Sequence, residues 1–141
     1  MKKILLSTLA VAALSVPAVS FAEDSIENMS IKDAMASMSP DVKAKMGGVT
    51  FKFGEGTGST SGTEYKTVRR ANGTFKDVSK SCNRAFYSNL IYLAGEAKRE
   101  GKTEVVNIQS NWKNNTTSSS TTYVCADGLW QSGVALKGNV A

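Results

Sequence analysis

The 141-residue sequence contains no histidine. That absence removes Ser-His-Asp and Cys-His catalysis and the commonest metal ligand. Cysteine is confined to Cys82 and Cys125, too few for a structural zinc site. Aromatic residues make up 8% of the chain and form no row interleaved with basic side chains, so single-strand nucleic-acid binding has no support. The formal charge of +5 is too weak and too dispersed to argue for a nucleic-acid binder. Long apolar runs are also scarce. The one present, Ile4 to Val19, is too short and too soon followed by acidic residues to read as a stable membrane span.

That run has another reading. Met1-Lys2-Lys3 is a basic start, Ile4 to Val19 an apolar centre, and Ser20-Phe21-Ala22 sets small residues three before and one before a cut ahead of Glu23. This is the layout of a secretory signal peptide, and it predicts export with cleavage after residue 22. Residues 23–141 are then one domain with a modest core and a charge of about +3, a balance that permits contact with anionic lipid or sugar. No cysteine lies near the cut, so no lipid anchor is expected. In an oxidising periplasmic or extracellular space, Cys82 and Cys125 read as a disulfide. The long loop it closes makes it worth about 4 kcal/mol in the chain-entropy model. A redox-active thiol would instead call for Cys-x-x-Cys spacing.

Glu23 to Ser30 is polar and reads as loose chain. Ile31, Ala34, Met35 and Met38 recur at helical spacing, and Ser39-Pro40-Asp41 offers a cap and a first-turn proline. Two short helices, 31–38 and 40–46, are expected, ended by Gly47-Gly48. Their methionines read as core contacts rather than a copper site, because helical spacing explains them. Val49 to Phe53 alternates as a strand, 54–62 is a flexible Gly/Ser/Thr loop, and 63–70 is a second strand. Asn72-Gly73 is a tight-turn dipeptide after which 74–78 would pair back as a hairpin. Ser81 is placed to cap a long helix, 82–100, closed by Gly101. Cys82, Phe86, Leu90, Leu93 and Ala97 share one narrow arc of that helix, its core stripe. Tyr87, Ile91 and Ala94 form a second apolar row, to be covered by the methionine helices or by a partner. Strands follow at 103–112, 121–126 and 129–136, with 114–120 as a polar hairpin loop. The order predicts an α+β fold: a small mixed or antiparallel sheet with one long helix packed on it, plus short N-terminal helices.

Two nucleotide-binding patterns fall short. Gly101-Lys102-Thr103 matches the end of a P-loop, but Glu96 stands where its first glycine belongs, and Gly101 ends a helix rather than leading into one. Gly54-Glu55-Gly56-Thr57-Gly58 resembles a dinucleotide loop with Ser59 in place of the third glycine and no helix after it. The carboxylates Glu55, Glu64, Asp77, Glu96, Glu104 and Asp127 form no pair visible from spacing. Lys66, Arg69, Arg70, Lys76, Lys80 and Arg84 read as a solvated edge or as a patch for phosphate-bearing lipid or polysaccharide.

Several segments resemble a family of small secreted bacterial proteins of unknown function, sometimes labelled excinuclease ATPase subunit-like. They are Ile31-Lys32-Asp33-Ala34, Val49 to Gly54, Cys82-Asn83-Arg84-Ala85-Phe86, Glu104 to Ile108 and Val134 to Gly138, together with Cys125. A more distant likeness is to small envelope domains of the RcsF and YbjQ type. They share the helix, the Gly101 to Val106 strand entry and a final glycine-containing strand. The ATPase label conflicts with the absence of a P-loop, of zinc-finger cysteines and of a cytosolic address. The likeness implies fold rather than activity.

The functional expectation is a non-catalytic exported binding or interaction module of the bacterial envelope or extracellular space. Its partner would be an envelope protein or an anionic glycan or lipid, with self-association left open. The candidate partner surface is the Tyr87, Ile91 and Ala94 row, or the loops 54–62 and 113–120. No catalytic residue, cofactor or metal ligand is assigned. The rival reading is a carboxylate-based hydrolase acting on cell-wall material, which would need two carboxylates about 5–10 Å apart in a deep cleft.

Overall fold

In a computed structural model, residues 24–73 and 77–141 are described; the expected signal segment 1–22 lies outside them. The element order is β1 (Ser25–Ser30), α1 (Ile31–Ala36), α2 (Pro40–Lys45), β2 (Thr50–Phe53), β3 (Glu64–Asn72), α3 (Val78–Arg99), β4 (Glu104–Trp112), β5 (Asn115–Thr117), β6 (Thr122–Asp127) and β7 (Gln131–Val140). The strands form one mixed seven-stranded sheet with α3 packed on one face, the α+β class the sequence predicts. β7 is its spine. β3 runs antiparallel along one side of β7 for its full length, while the other side is shared between β4 at Leu136–Val140 and β6 at Ser132–Gly133. β2 lies parallel to β4, β5 continues along the same side of β4, and β1 closes the far edge against β6.

Several local signals act as expected. Ser39 Oγ accepts from the Val42 amide and Pro40 opens α2. Gly101, at φ 71°, stops α3 in a left-handed conformation that glycine adopts without a Cβ clash. Cys82 and Cys125 are bonded, with Cα atoms 5.9 Å apart, fastening the start of α3 to β6.

Other expectations need correction. Residues 25–30 are not loose. Their mostly polar side chains, with Ile26 and Met29 out of alternation, give no strand pattern, but β6 supplies a backbone ladder from Ser25↔Asp127 to Ser30↔Thr122. The long helix starts four residues before Cys82, because Asp77 rather than Ser81 accepts the free amides of Ser79 and Lys80. Ser81 is buried inside the helix instead, its hydroxyl 2.6 Å from that of Ser132, which donates to Asp127. Val78 therefore belongs to the helix and not to a hairpin; residues 74–76 lie outside the described ones. Part of the 114–120 loop is the strand β5, entered through Lys113 and Asn114 at positive φ.

The core lies between α3 and the sheet. Cys82, Phe86, Leu90, Leu93 and Ala97 are all fully buried, each large one worth about 1.5–3 kcal/mol in apolar burial. The Phe86 ring stacks on Tyr123 with centroids 4.0 Å apart. Asn89 ties helix to spine by donating to the carbonyls of Ala85 and Val134, and its Oδ1 is buried without a partner among the described residues. A second, smaller cluster sits on the opposite face: Trp112 folds back over β7 against Ala126 and Ala135, with the Arg70 guanidinium 5.2 Å from its ring.

Candidate functional site

The sequence-predicted partner row does not form a free face. α1 and α2 lie along α3: the Tyr87 hydroxyl donates to the Ala34 carbonyl at 2.5 Å, and Gly47 after α2 abuts Lys98 near the other end of α3. Tyr87 is 8% exposed and Ala94 not at all; Ile91 is half-buried against the same core. The methionine helices share this core, with Met46 buried in it and Met35 and Met38 packed against it. As a partner surface, Tyr87, Ile91 and Ala94 are thus corrected to an internal seam.

The two loops named as alternatives are brought together, since the Glu55 amide donates to Ser118 Oγ at 2.8 Å. The 54–62 loop is tied down rather than flexible. Asn107, at φ 55° in the middle of β4, accepts from the amides of Thr57 and Gly58. Its Nδ2 donates to the carbonyls of Gly58 and Ser59. The signal for this in the sequence was an asparagine amid Val105-Val106 and Ile108: of the non-glycine residues, asparagine is among those that best tolerate a left-handed backbone.

The basic residues do not make one patch. Lys66 and Arg70 point to the sheet face away from α3, Arg69 lies 5.0 Å from the Tyr92 ring, and Arg84 donates to the Asn72 carbonyl at 2.7 Å. Lys76 is outside the described residues. The carboxylates are likewise dispersed: Glu104 pairs with Lys52, Glu96 with Arg99, Asp127 accepts from Ser132 and Asp77 caps α3.

What the fold does build is an open cleft, its lining more apolar than polar, where the C-terminal end of α1 meets the first turns of α3. Ser37, Asp77, Ser79, Lys80, Asn83, Arg84 and Tyr87 line a space of about 490 Å³. A second space of about 390 Å³, sharing Ser37, Ser79 and Asn83, continues it past Asp33 and Met29. Asn83 is positioned from beneath, its Oδ1 accepting the Tyr123 hydroxyl at 2.5 Å, which leaves its amide nitrogen for the cleft. Lys80 makes no ion pair among the described residues. Burial holds the Tyr87 and Tyr123 hydroxyls protonated above the ordinary tyrosine range. The cleft therefore offers hydroxyl, amide and cationic donors on one wall and the Asp33 and Asp77 carboxylates at its margins. Among the described residues no cluster of three metal-ligating side chains occurs, and no helix is long and apolar enough to cross a membrane.

The sequence reading missed this cleft because α1 and α3 are about 40 residues apart and neither carries a motif there. Of the residues singled out in the sequence, Tyr87 from the apolar row and Lys80 and Arg84 from the basic set lie on its wall. The chain matches no family model, no curated protein and no solved structure.

Proposed function

We propose that the chain is a non-catalytic exported binding module, in the periplasm or outside the cell, whose cleft between α1 and α3 takes an anionic glycan. The observation that carries this reading is the donor-rich wall of Ser79, Lys80, Asn83 and Arg84, set on a helix start that the Cys82–Cys125 bond holds in place. Side-chain amides, hydroxyls and a lysine suit sugar hydroxyls and carboxylates, with Arg84 already oriented by Asn72. The disulfide accords with an oxidising compartment, as the signal-like start does.

The hydrolase reading draws less support. Asp33 and Asp77 are the carboxylates on the cleft, but both are exposed and Asp77 is engaged as a helix cap. A general acid needs burial to raise its pKa, and among the described residues no carboxylate is buried.

Binding of a uronate tetrasaccharide, followed by amide shifts in NMR, tests the proposal. Shifts are expected at residues 79–84, with roughly tenfold weaker binding in Lys80→Glu. A glutamate in the first turn of a helix favours the fold, so lost affinity in this variant is not lost structure. Absence of shifts in the cleft would overturn the ligand assignment. Cleavage of the sugar, abolished by Asp33→Asn, would overturn the non-catalytic one.

A further inference from the structure

β3 is a nine-residue strand whose one neighbour among the described residues is β7, in unbroken register from Glu64↔Asn139 to Asn72↔Gln131. At its two ends the Val140 amide donates to the Thr63 carbonyl and the Gly73 amide to the Trp130 carbonyl. In an antiparallel ladder this phase turns the backbone groups of odd-numbered residues toward β7 and those of even-numbered residues outward. The Asn72 carbonyl is taken by Arg84. Glu64, Lys66, Val68 and Arg70 are left, with N–H and C=O groups that have no partner among the described residues. They form a row of about 20 Å at the strand rise. All four residues are exposed, Val68 at 52%.

Sheet edges are ordinarily protected by shortness, bulges, proline or charged side chains, lysine above all. β2 has four residues and a register shift, and β5 has three. β3 is long and regular and relies on charge, which repels most strands and admits one of opposite sign. Its charge is mainly positive: Lys66, Arg69 and Arg70 against Glu64, with Lys137 of β7 directly opposite Lys66 on the same face. None of these four cations lies within ion-pair distance of a carboxylate among the described residues. Like charges directly opposite one another cost stability unless an anion comes between or beside them.

We infer that the β3 edge takes up an extended segment of a partner protein with acidic side chains at alternate positions, added to the sheet as its next strand. The free backbone row supplies affinity without regard to sequence, and Lys66 and Lys137 select carboxylates on one face of the incoming strand. A second copy of the chain is a poorer occupant, because β3 beside β3 sets two strands of net positive charge together. This site adjoins the glycan cleft at Arg84 but does not rest on it.

The probe is a nine-residue synthetic peptide alternating glutamate and valine, compared with the same peptide alternating lysine and valine and with a glutamate peptide carrying proline at every third position. Titration by NMR, with amide hydrogen exchange, is expected to show the glutamate peptide binding. The Lys66, Val68 and Arg70 amides should become protected and affinity should fall at least tenfold in Lys66→Glu/Lys137→Glu, which reverses the charge and keeps the like-charge pairing. Equal binding of the proline-containing peptide would mean charge attraction without strand addition and would overturn the inference. So would an unchanged affinity in the double variant, absence of binding, or dimerisation of the chain through β3.

Discussion

Asn107 of β4 and Asn139 of β7 are joined side chain to side chain, Nδ2 to Oδ1 at 3.1 Å, where the β4–β7 register shifts between Val106 and Gln109. Asn139 in turn donates to the Gly62 carbonyl, so the pair holds both the middle and the end of the 54–62 segment. Asn107→Ala removes the side-chain contacts to Thr57, Gly58, Ser59 and Asn139, keeps the backbone amide's bond to Thr57 Oγ1, and leaves alanine at φ 55°. The expected cost is about 3 kcal/mol in denaturant unfolding. The Thr57 and Gly58 amides should also lose hydrogen-exchange protection. An unchanged exchange pattern would show that the loop is held by something else.

Reduction of the Cys82–Cys125 bond is expected to lower stability by about 4 kcal/mol, because the unfolded chain regains the freedom of the long closed loop. The check is paired denaturation of the protein with and without reductant, with thiol alkylation to confirm the state. A loss under 1 kcal/mol would mean that the unfolded chain is already restricted there.

Gly133 of β7 lies beneath the Trp112 ring, where a Cβ would come within 2.4 Å of Cη2. The ring is held by Ala126, Ala135 and Arg70, so Gly133→Ala must push it outward at about 1–3 kcal/mol. In a Trp130→Phe background, which removes the exposed indole, the remaining emission should shift to the red. Emission that stays where it was would count against this packing.

Tyr65 is pushed up to about 12, first because its hydroxyl bonds Glu100, and Tyr87 and Tyr123 are raised by burial. A tyrosine of this kind binds its proton more tightly folded than unfolded. Its contribution to stability is whole below pH 10 and is lost as pH rises from there toward the folded value. Stability should therefore fall above pH 10, and absorbance titration should show ionisation delayed in the folded protein. Glu100→Gln should return Tyr65 toward the ordinary value; a titration curve unmoved by that change would refute the assignment.

Much of the fold was legible locally. The Phe86–Leu90–Leu93 spacing identified α3, Ser39-Pro40 marked the start of α2, and the alternation at Val49–Phe53 marked β2, because side-chain period and caps act over one or two turns. The paired cysteines were readable from their number and the export-like start. The strand at Ser25–Ser30 was not, since it owes its form to β6 rather than to its own residues. The capping role of Asp77 was hidden behind an equally suitable Ser81, and burial against Ser132 settled which one is used.

The sequence by itself determined the α+β class, the helix stripe, the disulfide partners and the chemistry that no histidine-free chain can perform. Tertiary structure alone decided which apolar row of α3 is covered, that Asn107 rather than chance holds the 54–62 loop, where the cleft opens and that β3 is left as an edge. The reason is physical: periodicity and capping are properties of neighbours along the chain, whereas covering, cleft and edge depend on which distant segment packs alongside.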